Sequence, residues 1–295
     1  MCSRYLLFHC HGGGFIAQTS KSHLVYLKAW AVTLECPILS VDYALAPEAP
    51  FPVAQEQVLY AYAWARTNPE KIVWTGEFVA FAGDSAGANL VTTLALRLID
   101  LGLENLLPVC LGLFYGVYSW EYTVSPSRLF FILDPILPYV SIKACRQAYT
   151  GAAIPNLDSI RDDLIPRNYY LSPVLAVKST LERLPHTILV SSHLDPLLDD
   201  SVWFGRRLAD VGVSIQFQTF EKLPHGFLNF SALSTECYRA SQIGISLIRQ
   251  YLMHPDQRKS SITEEPTKPS DKTKASNNTK ENERKSDSTV KSSQT

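Results

Sequence analysis

The sequence has almost no charge imbalance. Its 27 Lys and Arg face 28 Asp and Glu, a formal net charge of −1, so no global field draws the chain to nucleic acid. Paired cysteine spacings are also missing. Cys2, Cys10, Cys36, Cys110, Cys145 and Cys237 are scattered, which argues against a disulfide framework and for reduced, mostly buried thiols. No apolar run reaches membrane length. The longest uncharged stretch, Asn105 to Trp120, carries Pro108, Gly112 and Gly116. It falls short of the roughly 20 residues a transmembrane helix needs and reads as a buried strand with flanks. The start, Met1-Cys2-Ser3-Arg4, runs almost directly into a glycine loop, unlike a secretory leader. These absences set the expectation of a cytoplasmic chain, in which the sequons at Asn229 and Asn277 arise by chance.

What is present is a substantial apolar complement, 46% of 295 residues, enough for one large α/β domain or two small ones. Apolar, β-prone runs at Tyr5–Cys10, Pro37–Tyr43, Glu77–Phe81, Val109–Tyr118, Thr187–Ser191 and Ser214–Phe220 read as strands. Between them, helical periodicity covers Ser20–Leu34, Val53–Thr67, Ala86–Leu101, Asp200–Val211 and Phe230–Met253. This alternation predicts an α/β fold, a mostly parallel sheet with helices on both faces. It gives one catalytic domain over residues 1–253. Residues 119–172, interrupted by Pro126, Pro135 and Pro138, read as a long irregular lid or insert. From His254 the composition changes: Ile262, Ala275 and Val290 are the only non-proline apolar residues, against nine Lys/Arg and seven Asp/Glu. Residues 254–295 are therefore expected to be a disordered, solvated tail.

The chemistry concentrates at Gly83-Asp84-Ser85-Ala86-Gly87, between a strand and a helix. A sharp turn there lifts the serine hydroxyl above the sheet and sets it at a helix N-terminus, whose dipole favours developing negative charge. A serine nucleophile needs a base, and the base needs an orienting carboxylate. His225, in Leu223-Pro224-His225-Gly226-Phe227, follows the last strand, with His193 as its rival. His9 and His11 precede a glycine loop, His23 and His186 read as surface or helix-flank residues, and His254 begins the tail. Asp195 follows the Thr187–Ser191 strand, on the carboxyl edge where active-site loops of open α/β sheets collect. Asp199 and Asp200 read as caps of the next helix. The order Ser85, Asp195, His225 fits an α/β-hydrolase triad. Backbone N–H groups of Ala86 and of Gly13 and Gly14, in His11-Gly12-Gly13-Gly14-Phe15, are placed to stabilise an oxyanion. Asp84 and Glu48 read as loop anchors that accept backbone hydrogen bonds.

These motifs, with Tyr43-Ala44-Leu45-Ala46-Pro47-Glu48 and Asp195-Pro196-Leu197, occur in an order that resembles the hormone-sensitive lipase family of carboxylic-ester hydrolases, over roughly residues 5–253. Longer runs, Gly13–Ser20 and Leu45–Pro52, resemble animal members more than bacterial ones. The resemblance implies an α/β-hydrolase fold and hydrolysis of lipid esters such as acylglycerols and cholesteryl esters, with peripheral contact to lipid droplets. It carries over Ser85, Asp195 and His225 as catalytic residues and Gly13, Gly14 and Ala86 as oxyanion donors, with no metal or cofactor and no transmembrane segment. The family's first strands have no counterpart here. The chain is therefore expected to be a truncated catalytic region, with the Ile38–Tyr43 strand at an open, apolar edge. Two competing readings are a non-catalytic binding module and an inert truncated product of a lipase gene.

Overall fold

A computed structural model describes residues 2–120, 125–132, 134, 136–151 and 167–254. Residues 255–295, on which the expectation of a disordered tail falls, lie outside the described residues. Six strands form one sheet: β1 (Ser3–Cys10), β2 (Ile38–Val41), β3 (Trp74–Asp84), β4 (Cys110–Phe114), β5 (His186–Ser192) and β6 (Ile215–Phe220). Their order is β2-β1-β3-β4-β5-β6, and every described pairing is parallel. The helices are α1 (Leu24–Leu34), α2 (Val53–Thr67), α3 (Ala86–Asp100), α4 (Tyr139–Thr150), α5 (Lys178–Leu181), α6 (Leu198–Asp210) and α7 (Thr235–Met253).

The alternation of side chains along the central strands explains why both faces are covered. Leu6, Phe8, Val79 and Phe81 point to one face and pack with residues of α2, α3 and α6, among them Val58, Leu90, Leu94 and Phe204. Leu7, Ala80, Ala82, Ile188 and Val190 point to the other and pack under α1 and α7 through Trp30, Leu34, Ile245 and Ile248. The Trp30 indole N–H donates to Ser241 Oγ at 2.8 Å, tying α1 to α7. Five of the six cysteines are buried and none is in a disulfide. No described helix is long and apolar enough to cross a membrane. Among the described residues β2 is an edge strand, with Ile38, Leu39 and Ser40 half-buried.

Several boundaries differ from the sequence reading, each for a local reason. Helix α1 starts at Leu24 rather than Ser20, because Ser22 Oγ and His23 Nδ1 both donate to the Thr19 carbonyl and hold a turn ahead of it. Strand β4 ends at Phe114 because Tyr115, at φ 37°, turns the chain out of the sheet. The last helix begins at Thr235, capped by Ser234, whose Oγ accepts from the Cys237 N–H; Phe227–Phe230 is a separate 3₁₀ turn. The segment read as irregular contains α4, which starts directly after Pro138 and buries Cys145 and Tyr149. A proline just ahead of a first helical turn loses no hydrogen bond there, so it marks a start where it was read as a break.

Because the strands are parallel, their carboxyl ends share one edge. The register sets Cys10 beside Gly83, Asp84 beside Phe114, and Ser192 beside Phe220. The loops leaving β1, β3, β4, β5 and β6 therefore converge.

Candidate active site

Ser85 sits between β3 and α3 with φ 54° and ψ −117°, a conformation a non-glycine residue adopts only when its surroundings impose it. The imposing contacts are backbone on backbone. A side chain on Gly87 would run into the carbonyl of Cys10, and one on Gly83 into the carbonyl of Gly87. Only glycine allows β1, β3 and α3 to approach this closely. The Ser85 N–H donates to the Phe114 carbonyl at 2.9 Å, fixing the turn to β4.

His225, from the loop after β6, places Nε2 3.0 Å from Ser85 Oγ. Its Nδ1 lies 3.0 Å from each carboxylate oxygen of Asp195, which is fully buried after β5. A carboxylate facing Nδ1 requires the proton there, so Nε2 is the acceptor and the Ser85 hydroxyl donates to it. The Leu197 N–H donates to Asp195 Oδ1 at 2.7 Å and keeps the carboxylate in place. Burial lowers the His225 pKa, but the charge and hydrogen bond of Asp195, with Asp134 and Asp84 behind them, outweigh it and leave the pKa raised. The ring of Tyr115 meets His225 edge-on at 5.0 Å between centroids.

The glycine loop after β1 closes the other side. Gly13 and Gly14 take φ 107° and 62°, and the Gly13 carbonyl accepts from the N–H groups of Ile16 and Ala17. Among the described residues no protein group accepts from the N–H of Gly13, Gly14 or Ala86. A cavity of about 230 Å³ opens onto Gly13, Gly14, Ser85 and His225, with apolar walls from Phe15, Val117, Trp120, Leu137, Ile142 and Leu197. This arrangement can generate a nucleophilic alkoxide, shuttle one proton, and solvate a developing negative charge in an otherwise apolar space.

The structure brings Ser85, Asp195, His225 and the glycine loop together on one edge of the sheet. Other residues stand elsewhere than expected. His193 is exposed at the end of β5 and is no rival to His225. Glu48 is exposed and anchors nothing among the described residues. Asp199 and Asp200 do not cap α6. Instead Asp199 accepts from the Ser127 N–H, and Asp200 accepts from Tyr118 and Ser119 and pairs with Arg128 at 2.8 Å. His23 is fully buried rather than at the surface. Asp134 went unnoticed. Its Oδ1 accepts from the Ile136 and Leu137 N–H groups, and its Oδ2 lies 3.4 Å from the His225 backbone N–H. The signal was there, since Asp134 is the one charged residue between Leu129 and Tyr139.

A parallel sheet with a strained serine turn after its third strand defines a class, and the chain belongs to it: the alpha/beta hydrolase fold family, matched over residues 7–229. Within that family it is similar to hormone-sensitive lipases and to esterases. It is 28% identical to hormone-sensitive lipase of Mus musculus, over 86% of this chain and 54% of that protein. It is also 28% identical to the esterase LipI of Mycobacterium tuberculosis, over 84% and 73%. Among solved structures, a hyperthermophilic esterase from the archaeon Pyrobaculum calidifontis superposes with a TM-score of 0.71 at 27% identity, covering 84% of this chain and 77% of that one. The chain spans about half the length of the mouse lipase (54%). The alignment of 416 positions exceeds the chain's own 295 residues, so the lipase carries internal residues that have no counterpart here.

Proposed function

We propose that this chain is a serine carboxylic-ester hydrolase acting on lipid esters. The observation that carries the reading is the continuous relay Asp195–His225–Ser85, with both links at 3.0 Å, at the floor of an apolar cavity. In the proposed reaction Ser85 Oγ attacks the ester carbonyl carbon while its proton passes to His225 Nε2. The resulting oxyanion accepts hydrogen bonds from the free N–H groups of Gly13, Gly14 and Ala86. Collapse of the adduct expels the alcohol, which takes the proton from His225 and leaves an acyl group on Ser85. Water then attacks the acyl carbon, His225 again taking and returning a proton. Asp195 stays ionised throughout, holding the Nδ1–H tautomer and balancing the imidazolium.

The lipid-ester class rests on two supports, the apolar cavity walls and the likeness to proteins named hormone-sensitive lipase. We place the chain on the animal branch of that group from the runs Gly13–Ser20 and Leu45–Pro52, and we propose acylglycerols and cholesteryl esters as substrates, met at the surface of cytoplasmic lipid droplets. The exposed apolar side chains Leu129 and Val140, with Ile136 at the cavity wall, suit such a surface. The test is hydrolysis of a short-chain nitrophenyl ester by the purified chain beside its Ser85→Ala variant, with circular dichroism on both. Turnover lost only in the variant supports the reading. A folded wild type no faster than the variant refutes it and leaves a binding module, and an unfolded one leaves an inert product.

A further inference from the structure

Directly behind the relay lies a group of buried ionisable side chains that it does not use. Asp84, the residue before Ser85, is buried against His9, His11 and His23, all three of them buried as well. Its Oδ1 accepts from the Gly12 N–H at 3.0 Å and from the Tyr26 hydroxyl at 3.0 Å. His23 Nε2 lies 3.4 Å from the same oxygen, while its Nδ1 donates to the Thr19 carbonyl at 2.9 Å. Burial alone would push the Asp84 carboxyl up. The charge and hydrogen bond of His23 outweigh it and hold Asp84 at about 2, and Asp84 in turn leaves His23 raised against its own burial. Each group thus favours the charged form of the other.

The position of this carboxylate matters more than its charge. The proposed nucleophile comes from the end of β3 and the proposed oxyanion donors from the end of β1. No covalent link shorter than the whole intervening chain sets their spacing. Asp84 spans the gap, because its backbone leads into Ser85 and its side chain grips Gly12, the residue before Gly13. The approach is close enough that a side chain on Gly12 would sit 2.5 Å from Asp84 Oδ2. The loop is held from the far side by Tyr43, whose hydroxyl donates to the His11 carbonyl at 2.7 Å. Catalytic donors need placement to within about half an ångström, and a hydrogen bond to a carboxylate is roughly twice as strong as one to a neutral acceptor.

We propose that Asp84, with His23 packed beside it, is a positioning residue that sets the Gly12–Gly14 turn at working distance from Ser85. This rests on the ester-hydrolase reading above. Asp84→Ala removes the grip, whereas Asp84→Asn keeps an acceptor for Gly12 while removing the charge and the Oδ2 acceptor that faces the Tyr115 hydroxyl. Each variant is assayed on a nitrophenyl ester and titrated with a trifluoromethyl ketone. Ser85 Oγ adds to that ketone carbonyl, with its proton passing to His225, to leave an oxyanion in the same hole. In Asp84→Ala, kcat should fall about 10²–10³-fold, the scale of one lost oxyanion donor, with KM within about threefold and ketone affinity falling with kcat. Asp84→Asn should recover most of the loss but stay about three- to tenfold below wild type in both kcat and ketone affinity, because a neutral acceptor holds the Gly12 N–H roughly half as strongly. A folded Asp84→Ala with near-wild-type kcat, or one whose kcat falls while ketone affinity holds, overturns the inference. Should the alanine variant not fold, Asp84→Asn decides: kcat and ketone affinity both at the wild-type level overturn it, and both reduced together support it. A wild type no more active than Ser85→Ala overturns the ester-hydrolase reading and this inference with it, whereas an active wild type beside an unaffected Asp84 variant overturns this inference alone.

Discussion

Asp195→Asn isolates the electrostatic part of the site, because the structure dictates how the amide must sit. The Leu197 N–H points at Oδ1 from 2.7 Å, so the oxygen of the introduced amide must take that place and its NH₂ the place of Oδ2. Oδ2 lies 3.0 Å from His225 Nδ1. An NH₂ group there presents Nδ1 with a donor that competes with the amide oxygen, also 3.0 Å away, and favours the tautomer with the imidazole proton on Nε2, turned toward Ser85 Oγ. A protonated Nε2 cannot accept the serine proton. In a serine hydrolase of unrelated fold, the same swap costs about 10⁴ in kcat with little change in geometry, which is about 5.4 kcal/mol of barrier. The acidity of His225 should change too. Burial already lowers its pKa and the Asp195 charge is the main force raising it, so the variant's residual activity should titrate below the ordinary imidazole value of 6.5, and wild-type kcat/KM above it. In both proteins activity requires the neutral ring and is lost as pH falls through the folded-state pKa. Pre-steady-state release of nitrophenol against pH measures both effects. A folded variant that loses less than about tenfold in acylation, or whose pH midpoint does not move down, would refute this account of Asp195.

Two further predictions concern the fold around the site. Gly87→Ala sets a methyl group into the Cys10 carbonyl, and backbone on both sides leaves no side chain to yield. It should destabilise the protein by about 3 kcal/mol or more, beyond ordinary overpacking, read as a lower urea midpoint with activity lost before secondary structure. His9 is fully buried, and burial pushes its imidazole down to about 3. Below pH 6.5 the unfolded chain takes up a proton there that the folded chain refuses, so stability falls as pH drops from 6.5 toward 3, by about 1.4 kcal/mol per pH unit for this group. His23, whose folded pKa is raised, adds stability that is complete below 6.5 and lost as pH rises through its folded pKa, so it does not offset the acid side. Urea midpoints from pH 7 to 4.5 in wild type and His9→Gln check this, and the variant should show the shallower decline.

The parts of the site legible in sequence share one property: each is set by its immediate neighbours. Ser85 is marked by glycines two residues away, and Asp195 and His225 each follow an apolar run whose parallel neighbours can be inferred from alternation. The parts that were not legible depend on partners remote in the chain. His23 does flank α1 as its N-cap, but its burial depends on Asp84, sixty-one positions later, which the pairing of β1 with β3 brings against it. Asp200 has the look of a first-turn cap, yet its acceptor capacity goes to Tyr118, Ser119 and Arg128, because the loop leaving β4 would otherwise bury unpaired N–H groups. For α4 the difficulty was the prolines, which limit backbone freedom whether a helix is ending or about to begin.

Strained backbone is not spread evenly over the chain. Among the described residues, six that are not glycine have positive φ. Glu35 and Val73 end helical segments, where a left-handed residue closes the last turn. The other four, Phe15, Gln18, Ser85 and Tyr115, all line the cavity over the carboxyl edge of the sheet. Each such residue costs on the order of 1–3 kcal/mol. Local sequence would relax them all, since none is a glycine, so tertiary contacts must hold them. Phe15 is stacked on Tyr149 at 3.8 Å between ring centroids, and its carbonyl accepts from the Ala46 N–H. Tyr115 donates its N–H to Val190 and packs its ring on Phe227. Ser85 is fixed by Phe114 and the two glycine contacts. The same edge also holds the buried Asp84 carboxylate beside His23. Neither the strain nor the buried charge is needed to close the two apolar cores, which lie below them on either face of the sheet. Their shared location is accounted for by the placement of Ser85 relative to the N–H groups of Gly13, Gly14 and Ala86, a spacing that an unstrained chain of the same topology would not hold.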